Sequence, residues 1–362
     1  MFSEIYKGKK ILITGHTGFK GSWLTAWLTK LRAEIVGYSI DIPTNPSSFE
    51  AMGLEKKITH IIGDVLDYEK LKATILDHRP DFVFHLAAQS IVSTSYENPL
   101  ETLNTNIMGT ATILQCLKEV NSKCVAVLIT SDKCYENVEW YWGYKETDRL
   151  GGKDKYSASK GAAELIFHSY LNSFFQPDSN VKIASARAGN VIGGGDWAKD
   201  RIVADCMRSW SESKIVEIRS PEATRPWQHV LEPLSGYLSL AEKLSLNNSL
   251  HGESFNFGPK SQLNHTVVNL IRDLAAHWNI TDENKVFNVT ENKPFHEAGL
   301  LKLNCDKALF MLNWRGSLKY EATVKFTSEW YYKYYSNDEN MYDFTMNQLN
   351  SYEQQAKEQQ TL

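Results

Sequence analysis

The chain lacks any apolar run approaching the roughly 20 residues that a bilayer-spanning helix needs, which excludes such a helix. Its start, MFSEIYKGKKILITG, passes almost at once into a strand pattern and has neither the apolar region nor the cleavage site of a signal peptide. Charge of one sign is also missing. Lys and Arg number 39 against 43 Asp and Glu, a net charge of −4, so nothing here attracts nucleic acid or an anionic membrane. The five cysteines (Cys116, Cys124, Cys134, Cys206, Cys305) are odd in number and form no CxxC, which argues for free thiols in a reducing, cytoplasmic compartment. Ten histidines are scattered without HExxH or another ligand spacing, so no metal site is expected. Internal repeats are absent.

What is present is ordinary soluble-protein composition, 42% hydrophobic and 23% charged, in a chain of 362 residues. That length exceeds one typical core and predicts one two-lobed unit or two domains. The first half alternates strands with helices. KKILITG (9–15), EIVGYSI (34–40), THIIGDV (59–65), DFVFHLA (81–87), AVLIT (126–130) and VKIASAR (181–187) read as strands. SWLTAWLTKL (22–31), YEKLKATILDH and LNTNIMGTATILQCLKEV carry helical spacing. The order predicts an α/β fold, a Rossmann-type doubly wound parallel sheet that binds ligands beyond the carboxyl ends of its strands. After about Asn190 the regularity fades into GGGDWAKD, RIVADCMRSW and the Arg- and Trp-rich SKIVEIRSPEATRPWQHV. The expectation is a dinucleotide domain over 1–187, with 226–254 returning to it, and a smaller C-terminal substrate-binding lobe from 188–225 and 255–335. The segment 336–362 is polar and Gln/Asn-rich, and reads as a frayed helix or disordered tail without chemistry.

Gly15-His16-Thr17-Gly18-Phe19-Lys20-Gly21 lies between the first strand and the first helix. Glycines there permit the tight turn, the close approach of backbone to a pyrophosphate and close helix–strand packing, with the helix N-terminus facing the anion. No GK[ST] closes the turn, so it is not a P-loop. Asp41 ends the second strand, and no Arg or Lys occurs from Gly37 to Pro46. A carboxylate in that place accepts a ribose 2′-OH and repels a 2′-phosphate, favouring NAD over NADP. Asp64, after the third strand, is placed to read the adenine amine.

TSDKCYEN (130–137) follows an apolar strand and aims a hydroxyl, a carboxylate and an amine past the sheet edge. Downstream, KYSASKGAAELIFHSYL puts Tyr156 and Lys160 at i, i+4 on one helix face. A neighbouring ammonium and a positive nicotinamide both favour a phenolate, predicting a tyrosine pKa below its usual value near 10. Such a phenolate takes a hydroxyl proton while the carbon gives up hydride.

GHTGFKG, HLAAQS (85–90), the strand ending in Ser131 and YSASK together resemble the extended short-chain dehydrogenase/reductase family. The resemblance runs from about residue 8 to 315 and includes AGNVIGGGDW, RPWQHV, FNFGP and KPFHEAGLLKLNCDKA. It implies a Ser131–Tyr156–Lys160 triad and NAD held by Gly15, Thr17, Gly18, Phe19, Lys20, Gly21, Asp41, Asp64, Val65, Leu86, Ala87, Ala88, Thr105, Tyr156 and Lys160. Within the family, TSDKCYEN, GGDWAKDRIVAD and RPWQHV are similar to the CDP-glucose branch of the nucleotide-sugar 4,6-dehydratases, enzymes of deoxysugar and O-antigen biosynthesis. These oxidise C4 of the hexose, eliminate water across C5–C6 and return the hydride to C6. The resemblance then implies Asp132 as the acid at O6 and Lys133 as the base at C5, where dTDP-glucose enzymes carry Glu. The plainer role for Lys133 is to hold the sugar or order a water.

For the nucleotide sugar, CDP-glucose, the expected contacts are Gln89, Asn106, Asn190, Arg201, Arg208, Arg219, Arg225 and His296, with Trp197, Trp210 and Trp227 in the same segments. Asn106 falls behind the triad or is helical filler; His85 reads as packed. Two long helices near 100–118 and 156–172 form a dimeric four-helix bundle, as the resemblance implies, or else belong to the core. Competing readings are a dTDP-glucose-type dehydratase, a 4-epimerase, and a non-catalytic NAD-binding regulator.

Overall fold

The computed structural model describes residues 2–259, 265–290, 300–337 and 339–361. Its centre is a sheet of β1 (Lys10–Thr14), β2 (Glu34–Ser39), β3 (Thr59–Ile62), β4 (Phe82–His85), β5 (Cys124–Ile129), β6 (Val181–Ala188) and β7 (Ser254–Phe257), in the order β7-β6-β5-β4-β1-β2-β3. Every pairing in it is parallel. Strands covered on both faces must be apolar throughout, and all six residues of CVAVLI in β5 are buried. The strand order reverses between β1 and β4, so the crevice at their carboxyl ends is the switch point at which such sheets bind ligands.

Helices cover both faces: α1 (Phe19–Lys30), α2 (Tyr68–His78), α3 (Gly109–Lys118), α4 (Lys155–Phe174), α5 (Ile202–Ser211), α6 (Leu231–Leu246), α7 (Val267–His277), α8 (Tyr320–Ser336) and α9 (Met341–Glu358). Among the described residues, no helix is long and apolar enough to cross a membrane. The N-terminus of α4 is set by Asp154, whose carboxylate accepts the Ser157 N–H at 2.9 Å and its hydroxyl at 2.6 Å. The helix expected over 103–120 is interrupted: a π-turn over Asn104–Met108 separates Pro99–Leu103 from α3. That wider turn is where Asn106 leaves the ordinary helical register.

Two expectations need correction. Ser254–Phe257 is a sheet strand beside β6, not part of the smaller lobe, because every residue of SFNF is buried and paired. The C-terminal segment is not a frayed or disordered tail. Leu349, Tyr352 and Ala356 recur at helical spacing among the Gln and Asn residues and are all fully buried, and α9 docks on α1 and α8. Trp27 Nε1 donates to Glu353 Oε1 at 2.8 Å, and Lys30 Nζ lies 2.5 Å from Glu353 Oε2.

The same dock holds Glu232 of α6, fully enclosed, accepting from Ser317 N at 2.9 Å and from Tyr352 Oη at 3.0 Å. Burial pushes its carboxyl up to about 7, against partial offset by the backbone donors of Leu318 and Ser317. A raised folded-state value means the fold binds the proton more tightly than the open chain. The associated stability is therefore complete below about pH 4.5 and is lost as pH rises towards 7, amounting to about 3 kcal/mol. Thermal melts of wild type should fall over that interval, and Glu232→Gln should flatten the fall.

Candidate active site

A cavity of about 1210 Å³ opens at the switch point. Single small-molecule sites occupy roughly 300–1,000 Å³, so this one has room for two ligands side by side. One end is built by the glycine turn. Gly15 has φ +75°, and a Cβ on it would lie 2.7 Å from Ala87 N, so no other residue fits where β1 and β4 approach. Thr17 Oγ1 donates to Asp41 O at 2.6 Å, tying the turn to the end of β2. Asp41 is exposed there, and Asp64 Oδ1 accepts the Leu66 N–H at 2.9 Å. Gly18, Phe19, Lys20, Gly21, Val65, Leu86, Ala87, Ala88 and Thr105 also line the cavity, with Tyr156 and Lys160 at its other end.

The other end carries the reactive side chains. Ser131 caps a three-residue 3-10 turn, Asp132–Cys134: its Oγ accepts the Lys133 N–H at 3.2 Å and donates to Asp132 Oδ1 at 3.0 Å. Asp132 is buried, and a Cβ on Gly189 would fall 1.9 Å from its Oδ2, so the glycine makes room for the carboxylate. Lys133 is half-buried on the same wall. Tyr156 and Lys160 are both buried, with Lys160 Nζ 6.0 Å from the tyrosine ring centre. In the protein alone, burial pushes the Tyr156 phenol up to about 12, and the positive nicotinamide would act against that rise. Stripping water from the phenolate outweighs the hydrogen bond from Ser131 and the attraction of Arg201. Burial likewise brings Lys160 down to about 8.

Lys20, expected only at the cofactor, reaches further. Its Nζ lies 3.5 Å from Tyr237 Oη, and burial together with Arg201 and Lys160 lowers it to about 8 against the pull of Asp132 and Asp196. Sequence reading missed Tyr237, because nothing local marks one tyrosine of a buried helix as facing a distant turn. It also passed over His16, whose ring bonds Ser39 Oγ at 2.9 Å and His60 at 2.7 Å beneath the glycine turn. Burial and His60 hold His16 near 3, so it is neutral.

The substrate-side expectations divide. Asn190, Arg201, Arg219 and Arg225 line the cavity, as does Trp227. Trp227 Nε1 is buried and has no hydrogen-bond partner among the described residues, a donor suited to a ligand. Asn106 does not line the cavity. Its Nδ2 donates to Ser159 Oγ at 2.8 Å and Gln89 O at 3.0 Å, and its Oδ1 accepts Gln89 N at 2.9 Å, so it ties the Gln89 loop to α4. Gln89 itself lines the cavity, but its amide is spent on Thr102 Oγ1 and Ile91. Arg208 lies outside the cavity and donates to Trp197 O at 3.1 Å; Trp210 is a core residue, while Trp197, also buried, lines the cavity. His85 is packed, bonding Thr14 Oγ1 at 2.8 Å. His296 lies outside the described residues.

Comparison with known proteins places this geometry. The family model described as GDP-mannose 4,6 dehydratase matches residues 12–327. The CDP-glucose 4,6-dehydratase of Salmonella typhimurium is 48% identical over 315 residues, covering 86% of this chain and 87% of that protein. Among solved structures, a dTDP-glucose 4,6-dehydratase from Streptomyces venezuelae with NAD and TYD bound superposes with TM-score 0.78 at 19% identity, covering 92% of this chain and 99% of that one. An epimerase from Methanothermobacter thermautotrophicus gives 0.79 at 22% identity, over 92% and 95%. At those identities the two structures speak for the shared fold alone. With the parallel sheet, the glycine turn and a family match spanning nearly the whole described chain, the protein belongs to the GDP-mannose 4,6 dehydratase family of extended short-chain dehydrogenase/reductases.

Proposed function

We propose that the protein is a hydro-lyase that converts CDP-glucose into CDP-4-keto-6-deoxyglucose with NAD as its resident cofactor. The carrying observation is the turn Asp132–Cys134, which sets an acid and an amine directly after Ser131, on the cavity wall that Tyr156 and Lys160 share. An epimerase needs no such pair. The 48% identical Salmonella relative supports CDP-glucose as substrate, and Lys133 separates the chain from the Glu-bearing dTDP branch.

The glycine turn and the exposed Asp41 carboxylate suit NAD, since Gly15 cannot carry a side chain and no cation waits for a 2′-phosphate from 37 to 46. NAD, held by the glycine turn and Asp41, would supply a hydride acceptor for C4 and a hydride donor for C6. Tyr156 takes the proton of the C4 hydroxyl, with Ser131 hydrogen-bonding O4 and the Lys160 ammonium favouring the phenolate. The resulting ketone acidifies C5–H. Lys133, neutral when it acts, takes that proton, and Asp132, protonated when it acts, gives its proton to O6 as water leaves. Lys133 afterwards reprotonates C5. Asn190, Arg201, Arg219 and Arg225 grip the sugar and diphosphate.

A homodimer in the cytoplasm, serving deoxysugar and O-antigen synthesis, completes the reading. Leu100, Met108 and Leu165 are 74%, 52% and 60% exposed on the helices expected to pair, which supports the dimer. The test is incubation with NAD and either CDP-glucose or dTDP-glucose, following a product lighter by one water. Product from dTDP-glucose alone moves the enzyme to the neighbouring branch, and no dehydrated product from either leaves the epimerase and non-catalytic readings.

A further inference from the structure

The turn bearing Ser131, Asp132 and Lys133 is closed by weak local bonds, Lys133 N to Ser131 Oγ at 3.2 Å and Cys134 N to Ser131 O at 3.1 Å. Ser131 also bonds Tyr156 on α4, and Gly151 N donates to Cys134 O at 2.8 Å. A buried pair adds a grip on the residues at either end of the turn. Glu164 continues the face of α4 that carries Tyr156 and Lys160, again four residues on. Its Oε1 accepts the Thr130 hydroxyl at 2.5 Å, immediately before the turn. Its Oε2 accepts Arg187 Nη2 at 2.8 Å, and Arg187 Nη1 donates to Tyr135 Oη at 2.8 Å, immediately after the turn. Tyr135 Oη in turn donates to Asn256 Oδ1 at 2.7 Å on β7.

One ion pair thus grips both ends of the catalytic turn from the helix that carries the tyrosine and lysine. The two side chains are 0% and 1% exposed. Burying charges so completely is rarely worth its desolvation in stability alone, because apolar replacements of the same volume usually serve as well. A geometric duty accounts for it. We propose that Glu164 and Arg187 are positioning residues that hold the eliminating pair, Asp132 and Lys133, in register with the oxidising pair, Tyr156 and Lys160. Loosening the clamp slows elimination more than oxidation, which depends on the turn only through Ser131. The sugar is oxidised at C4, its O4 proton passing to Tyr156 and its hydride to NAD, but the C5 proton and the C6 hydroxyl are not removed in step.

The inference rests on the dehydratase reading. Thr130→Val deletes the hydroxyl that reaches Glu164, and Tyr135→Phe the one that joins Arg187 to Asn256, so both leave the ion pair itself intact. The expected result is C4 oxidation within about 3-fold of wild type and elimination slowed by about 10- to 100-fold, since small misplacements of reacting groups cost on that order. Undehydrated CDP-4-ketoglucose then escapes, leaving reduced cofactor on the enzyme, while NAD affinity read by tryptophan fluorescence is unchanged. Thr130→Ser, which keeps the hydroxyl, restores the wild-type split. Amide hydrogen exchange, which needs no substrate, should quicken over 131–135 in Thr130→Val and Tyr135→Phe and stay unchanged over 155–174. Equal slowing of both half-reactions, or unaltered exchange over 131–135, overturns the clamp. Inactive wild type with quickened exchange overturns the dehydratase reading and leaves the clamp standing.

Discussion

Asp132→Asn is expected to slow dehydration of CDP-glucose by about 10²–10⁴-fold, the usual worth of a positioned proton donor, while nucleotide binding and C4 oxidation persist. Asparagine has the size of aspartate, so it fills the space opposite Gly189 and its carbonyl still accepts the Ser131 hydroxyl. What it loses is the proton for O6. A single turnover should therefore stop with the cofactor reduced and the sugar oxidised but not dehydrated. Lys133→Met is the companion. In heavy water the wild-type product gains deuterium at C5, and the variant should lose that incorporation in proportion to turnover. C5 exchange at the wild-type rate in Lys133→Met would place the base elsewhere and leave Lys133 the plainer task of holding the sugar.

Tyr156→Phe should act one step earlier and abolish both half-reactions, lowering C4 oxidation by at least about 10²-fold. Its distinguishing readout is pH. Burial pushes the phenol up to about 12, so the reactive phenolate is the minor form at neutral pH. The wild-type oxidation rate should climb as pH rises towards that value, because deprotonation creates the base, and the climb should vanish in Tyr156→Phe. Lys160→Met should slow oxidation most below about pH 8, where the lysine is still an ammonium and favours the phenolate. A rate in Tyr156→Phe that still climbs with pH would mean that another group accepts the O4 proton.

Much of this site was legible because its residues lie where strands end. Gly15, Asp41, Asp64, Ala87 and Ser131 each follow a short apolar run, and a parallel sheet brings all strand ends to one edge. Tyr156 and Lys160 are readable for a similar reason, since i, i+4 fixes a shared face without knowledge of the rest. Asn106 and Arg208 were misplaced because composition reports a residue's chemistry and not its direction. A π-turn aims Asn106 back at Gln89 and Ser159, and α5 presents Arg208 to Trp197. The C-terminal helix was misread because its fully buried Leu349, Tyr352 and Ala356 are diluted by amides whose polarity dominates the average.

The sequence by itself determined the α/β order, the glycine turn, the expectation of NAD and the shared face of Tyr156 and Lys160, because each depends on neighbours a few residues away, while the family resemblance supplied the roles of Ser131, Asp132 and Lys133. Only the tertiary structure decided the rest: that Lys20 approaches Tyr237, that burial raises the Tyr156 phenol in the protein alone, and that Glu164 and Arg187 bracket the turn 131–134. These depend on solvent exclusion and on contacts across 23 to 217 positions of chain, and neither quantity has a local signature.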